Sequence, residues 1–378
     1  MYTSLIAIAL GGCGASPRAH PPGSPPSQVS SVALAAQIFL ALGPYGVGNL
    51  SCDSQTVAWT TSSQPRSSLN NLVRMAHFPS GSSTIVGQAE YGGTLTSPVE
   101  VAGNWVVYLE YLQYGETYTD TFWYLRAANL ITGKVLVLAH AQSPTGTEPP
   151  FYSISRDLVV WNQLTPTGHE ELMAYNLGKL TARRVPLPSG ISPIRPQVAG
   201  GSVAFLNTAV NPQAAQEPFF SRGGRPSMVD LRTGRFTQLS QATQAQAISF
   251  NGSVVVWSNT MPDPVNPAPA VVPDVRLTPL GGGATRVIGA VGYSILLDST
   301  YVVWYDNESA RLYAYALSSN REVSITVAGQ SDLGGVYALC GDRLFFALPP
   351  SAAGPNGPLD PRAQSFLRYV NLQGAFHS

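Results

Sequence analysis

Ser299–Leu317 reads STYVVWYDNESARLYAYAL: a β-branched run closing on Trp304, a short polar interruption, then a second run rich in Tyr and Leu. The same phrase recurs along the whole chain. Aligned on the closing aromatic, it returns as QTVAW at Trp59, NWVVY at Tyr108, DLVVW at Trp161, GSVAF at Phe205, SVVVW at Trp257 and DRLFF at Phe346. The spacings run from 42 residues (Trp304 to Phe346) to 53 (Tyr108 to Trp161). The anchor column was chosen, so the test lies in its neighbours. Two places earlier stand Val57, Val106, Val159, Val203, Val255, Val302 and Leu344; one place earlier, Ala58, Val107, Val160, Ala204, Val256, Val303 and Phe345; seven places earlier, Cys52, Val101, Ile154, Val198, Phe250, Leu297 and Leu339. All 21 are apolar, where a chain of 44% apolar content fills about nine by chance.

Each unit has the same grammar. An alternating segment such as YSILL (Tyr293–Leu297) predicts a first strand, and a tight turn follows, as at Gly103-Asn104, Arg156-Asp157, Gly200-Gly201, Asn251-Gly252 and Gly341-Asp342. The β-branched run into the anchor is a second strand. NLVRMAHF, FWYLRAANL, ELMAYNL, PSMVDL, RLYAYAL and FLRYVNL supply a third, which often closes on a turn such as NLITG or DLRTG. A more polar fourth follows, as in KVLVLAHA or REVSITVA. Only 11% of residues are charged, and Gly (36) and Pro (31) are plentiful, as suits many short strands joined by turns. Residues 31–378 therefore read as one large all-β domain.

Four antiparallel strands repeated in this way resemble a β-propeller of seven blades. The D-L-x-T-G closing turns and the strand spacing resemble the TolB and WD40-like family of bacterial propeller repeats over about residues 45 to 372, without TolB's separate α/β domain and with seven blades rather than six. Strands here are named A to D outward from the channel. A ring must close, and blade 7 has only GAFHS after its third strand. VALAAQIFLAL (Val32–Leu42) is expected to complete blade 7; the alternative is a tail leading into blade 1.

Residues 1–30 differ from the rest. A short apolar run (Leu5–Leu10) leads into LGGC and then a Pro, Ser and Gly tether. LGGC resembles the lipobox of bacterial lipoproteins, which implies lipidation of Cys13, a signal peptide before it and a cell-envelope location, in the periplasm or at the cell surface. The segment lacks the usual basic start, and an ordinary N-terminal tail is the alternative. Cys52 and Cys340 fall late in the first strands of blades 1 and 7, neighbours in a closed ring. Their phases differ by one residue relative to their anchors, which predicts opposite faces and two buried free thiols rather than a disulfide.

Net charge is zero (21 basic, 21 acidic residues), so no basic field is available for nucleic acid. No nucleophile elbow, zinc motif, phosphate loop or calcium loop is present, and neither metal nor cofactor is expected. His169-Glu170-Glu171 reads as polar B–C loop rather than acid–base machinery. The long B–C connections of blades 2, 4, 5 and 7 share one face with the links between blades. On them Tyr111, Tyr114, Tyr118, Phe219 and Phe220 are the candidate contacts for a protein, peptide or cell-wall glycan. The expectation is a monomeric, non-catalytic binding module that meets the membrane only through its anchor. The alternative is a lyase- or glycosidase-type enzyme with charged groups from the links (Glu90, His140, Glu148, Arg195, Asp332) at the channel mouth.

Overall fold

The seven phrases become seven four-stranded antiparallel sheets. The computed structural model describes residues 29–376 apart from 44, 65–69, 91–92, 96–97, 115–119, 144–147, 166–167, 211–221, 243, 260–273, 291–293, 307–310, 328–335 and 349–364. The opening phrase folds as read, with Tyr301–Asp306 as strand B of blade 6 and Arg311–Ala316 as strand C. First strands sit innermost and touch one another around a closed ring, from Leu50–Cys52 of blade 1 to Tyr337–Cys340 of blade 7 and back. The A–B turns use the conformations that their residues permit: Gly103, Arg156, Gly200, Gly252 and Gly341 all have positive φ. In the C–D turns Asn129 and Asp230 do one job. The Asp230 side chain accepts from the backbone N–H of Arg232 (3.1 Å) and Thr233 (2.6 Å). Asn129 accepts likewise from Ile131 (3.0 Å) and Thr132 (2.9 Å).

Every anchor is buried, and the reason is the way the blades stack. The anchor face of each blade packs on the opposite face of the blade before it: Tyr152, Val159 and Trp161 on Trp105, Val107 and Leu109, for example, and Val255 and Trp257 on Ala204 and Leu206. Inner strands are thus covered on both sides, which is why they read as unbroken apolar runs. Two anchors need a glycine opposite them. A Cβ on Gly289 of blade 5 would lie 2.2 Å from Cζ2 of Trp304, and one on Gly87 of blade 1 would lie 2.7 Å from the Tyr108 ring. Both glycines follow a bulge in the C–D pairing of their blades.

Closure uses the N-terminal segment as expected, with one addition. Gln37–Gly43 pairs antiparallel with Ser365–Asn371 and completes blade 7. Before it, Ser30–Leu34 pairs parallel with Arg321–Val327, a fifth strand on the outside of blade 6. The segment therefore straps two blades. Phe39, Phe78, Phe345 and Tyr369 fill the space beneath it, with ring centroids 5.2–5.9 Å apart.

The expectation for the cysteines is overturned: Cys52 and Cys340 form a disulfide, their Cα atoms 5.9 Å apart. Opposite phase is what the seam requires. Cys52 shares the Trp59 face of blade 1, Cys340 the Phe345 face of blade 7, and those two faces pack together. Two side chains of equal phase would point to different seams.

Candidate functional site

The strand ends of the B–C and link face carry buried polar groups, among them Glu110, Arg126, Asn162 and Glu170. In blade 2 the stretch expected to be an irregular loop is instead an extended hairpin, Trp105–Tyr114 with Asp120–Asn129, paired out to Tyr114 and Asp120. The extension places Glu110 opposite Tyr124. Arg126, with a side chain 3% exposed, donates through Nη2 to Oε2 of Glu110 (3.1 Å) and of Glu90 in the link (3.0 Å). Its guanidinium also lies 5.1 Å from the Tyr124 ring, which stacks on His140. Burying such a group is tolerable only because it is paired.

A second set lies across blades 3 and 4. Arg222 forks onto Glu148, with both bonds 2.9 Å. The Arg195 guanidinium sits 4.5 Å from the Phe151 ring, and burial pulls its pKa down to about 10. The Phe151 N–H donates to Asn162 Oδ1 (2.9 Å), and Asn162 Nδ2 donates to Glu170 Oε2 (2.9 Å). Glu170 is therefore no loop residue. It opens strand C of blade 3 (Glu170–Asn176), is 6% exposed, and its Oε1 has no hydrogen-bond partner among the described residues. Burial pushes its carboxyl up to about 7. With His169, Glu171 and the link residues Val185, Leu187 and Ile191 it lines a cavity of about 330 Å³. The sequence signal for Glu170 was its position: it pairs with Leu164 and shares the Leu172 face, two residues from a buried core position.

A third carboxyl, on the half-buried Glu100, is internal. Glu100 on strand A of blade 2 accepts from the N–H of Ile154 in the next blade (2.8 Å), and burial raises it to about 7. Ser51 and Ser153 occupy the same repeat position and accept from Val101 and Val198 (3.3 Å each). This column ties the inner edges of successive blades.

The link charges named from sequence fall into two sets, Glu90 and His140 beside Arg126 and Tyr124, and Glu148 and Arg195 toward Glu170. Glu90, His140, Glu148 and Arg195 each engage a local neighbour, as given above, and Asp332 lies outside the described residues. Of the candidate aromatics, Tyr111 is half-buried, packs on the core between blades 2 and 3, and exchanges backbone bonds with Thr94. Tyr114 ends strand B of blade 2, and nothing further of its side chain is described. Tyr118, Phe219, Phe220 and Cys13 lie outside the described residues. Among the described residues no group of three or more His, Cys, Asp or Glu could hold a metal ion. No described helix is long and apolar enough to cross a membrane.

Comparison with solved structures settles the architecture. A prolyl endopeptidase superposes with a TM-score of 0.61 at 11% identity; the match covers 89% of this chain and 48% of that one. An oligogalacturonate lyase in complex with manganese gives 0.55 at 10%, covering 92% of this chain and 98% of the other. The chain is a seven-bladed β-propeller. TolB from Acinetobacter baumannii is also among the similar structures, at 0.43 and 13% identity over 74% of this chain and 79% of that one. At such identities the likeness speaks for the propeller fold alone. No family model and no curated protein matches the sequence.

Proposed function

We propose that this propeller is an extracytoplasmic binding module, lipid-anchored through Cys13, that receives a protein, peptide or cell-wall ligand on its B–C and link face. The observation that carries the reading is how the charged groups of that face are used. Glu90 and Glu110 share Arg126, and Glu148 pairs with Arg222, so these charges hold links and strand ends in place. The Cys52–Cys340 disulfide supports an oxidising compartment. Photo-crosslinkers at Tyr111 and Phe219 should capture a ligand from envelope extracts, while crosslinkers at Lys134 and Arg156 on the tight-turn face should not. Equal capture from both faces would refute the assignment.

A second reading rests on Glu170. A carboxyl that titrates near neutrality beside a cavity and next to His169 is suited to proton transfer, as in a lyase- or glycosidase-type enzyme. Turnover of a saccharide that disappears in Glu170→Gln, with melting not lowered, would favour it over the binding module.

A further inference from the structure

On the opposite face, the one made of tight turns, charge is sorted. Lys134, Arg156, Lys179, Arg183, Arg232 and Arg235 are all exposed at the turn ends and outer strands of blades 2 to 4, in a chain whose net charge is zero. These include both lysines of the protein. The facing acids include Asp157, Asp230 and Asp53, which accepts from the N–H of Gly103 (3.0 Å); the Asp230 carboxylate is bound by Thr233 through its N–H and its hydroxyl (2.8 Å). Arg232 and Arg235 are in no salt bridge among the described residues, and Arg232 lies within electrostatic reach of Asp230.

These two arginines, together with Asp230, line a cavity of about 500 Å³ between the outer strands of blades 4 and 5, so the basic side chains there outnumber the acidic one by two to one. The rest of the lining is chemically specific. Ser202, Thr237 and Gln238 present hydroxyls and an amide; Gln238 already accepts from Arg225 through Oε1 (2.9 Å), so its N–H groups remain to donate. Pro279 and Leu280 give an apolar wall. No aromatic side chain lines the space, so a nucleobase would have nothing to stack on. A volume of this size suits a ligand of one or two sugar rings. Guanidinium forks suit a carboxylate or phosphate, short polar side chains suit vicinal hydroxyls, and an aliphatic wall suits the C–H face of a pyranose.

We propose that the groove between blades 4 and 5 is a binding site for an acid-bearing saccharide, with Arg232 and Arg235 holding the acid group and Ser202, Thr237 and Gln238 the ring hydroxyls. It lies on the face away from the B–C loops and stands independently of the function assigned to them.

The test is titration of the full chain, followed by saturation-transfer NMR, with glucuronate, glucose 6-phosphate, glucose and inorganic phosphate. Glucuronate and glucose 6-phosphate should each bind about tenfold or more tightly than glucose, because only they engage the arginines. The double variant R232A/R235A should lose about tenfold in affinity for both acids, and R232K/R235K, which keeps the charge and controls for folding, should fall between. Three outcomes would overturn the proposal: glucose binding as tightly as the acids, R232A/R235A binding like the parent, or inorganic phosphate binding as tightly as glucose 6-phosphate. The last would leave an anion site that does not recognise a sugar. A carboxylate source would show as preference for glucuronate, a phosphate source as preference for glucose 6-phosphate.

Discussion

The seam between blades 7 and 1 and the seam between blades 3 and 4 bury the same kind of core and are finished in opposite ways. Where the chain cannot run on from one blade to the next, a disulfide, a borrowed strand and four aromatic rings join the sheets. Blades 3 and 4 are already joined by the link through Val185, and their seam ends on a buried carboxyl beside a cavity, with one oxygen that has no partner among the described residues. Buried polar groups of that kind cost stability rather than add it. The closing seam is devoted to holding the ring, and the continuous seam can tolerate chemistry.

The comparison breaks most visibly if the borrowed strand is removed. Truncation through residue 43 strips Phe39, Leu40 and Leu42 from the closing core and leaves blade 7 with an open edge. A loss of about 5 kcal/mol is expected, on the order of 10 °C in melting temperature. An unchanged melting temperature would mean that the strap is decoration. Next in size is the disulfide. The double variant C52S/C340S should lose about 4 kcal/mol in denaturant unfolding, since the bridge closes a loop of 288 residues.

At an interior seam the vulnerable point is packing alone. Gly289→Ala drives a methyl into the Trp304 ring and should cost about 1–3 kcal/mol, read by denaturant titration, whereas Gly374→Ala, with open space around it, should be neutral. The smallest effect sharpens the polar seam. Glu100, Glu170 and Glu322 all have carboxyls raised by burial from 4.5 to about 7, so the folded state binds protons more tightly than the unfolded one. Stability should therefore fall as pH climbs from about 4.5 to about 7 and level off above it. Glu170→Gln keeps an acceptor for Asn162 and removes one share of that slope. It should match the parent near pH 5 and exceed it by about 1–2 kcal/mol near pH 8.

The ring was legible because its signal is redundant. Val at two places before the anchor and Val or Ala at one place before face different seams, so the repeat encodes both faces of every inner strand. The closing strand could be read from a deficit, the missing fourth strand after Ser365–Asn371. Its continuation onto blade 6 could not, because parallel pairing at Ser30–Leu34 leaves no hairpin turn in the sequence. The cysteine expectation failed by treating the two blades as one sheet, in which equal phase means equal face. In stacked blades the rule inverts. Glu170 was misread because a carboxylate after a turn looks like solvent-facing loop until its pairing with Leu164 is known. The groove at Arg232 and Arg235 was hidden for a different reason: a net charge of zero conceals how charge is distributed.

The central claim is a ring closed covalently between its first and last blades in an oxidising compartment. Thiol mapping tests it most directly: the protein is taken from cells, blocked with one alkylating reagent under denaturing conditions, reduced, labelled with a second and digested. The account predicts the first label on neither Cys52 nor Cys340 and the second label on both. Both thiols carrying the first label would contradict the covalent closure and remove the main support for an extracytoplasmic site of action.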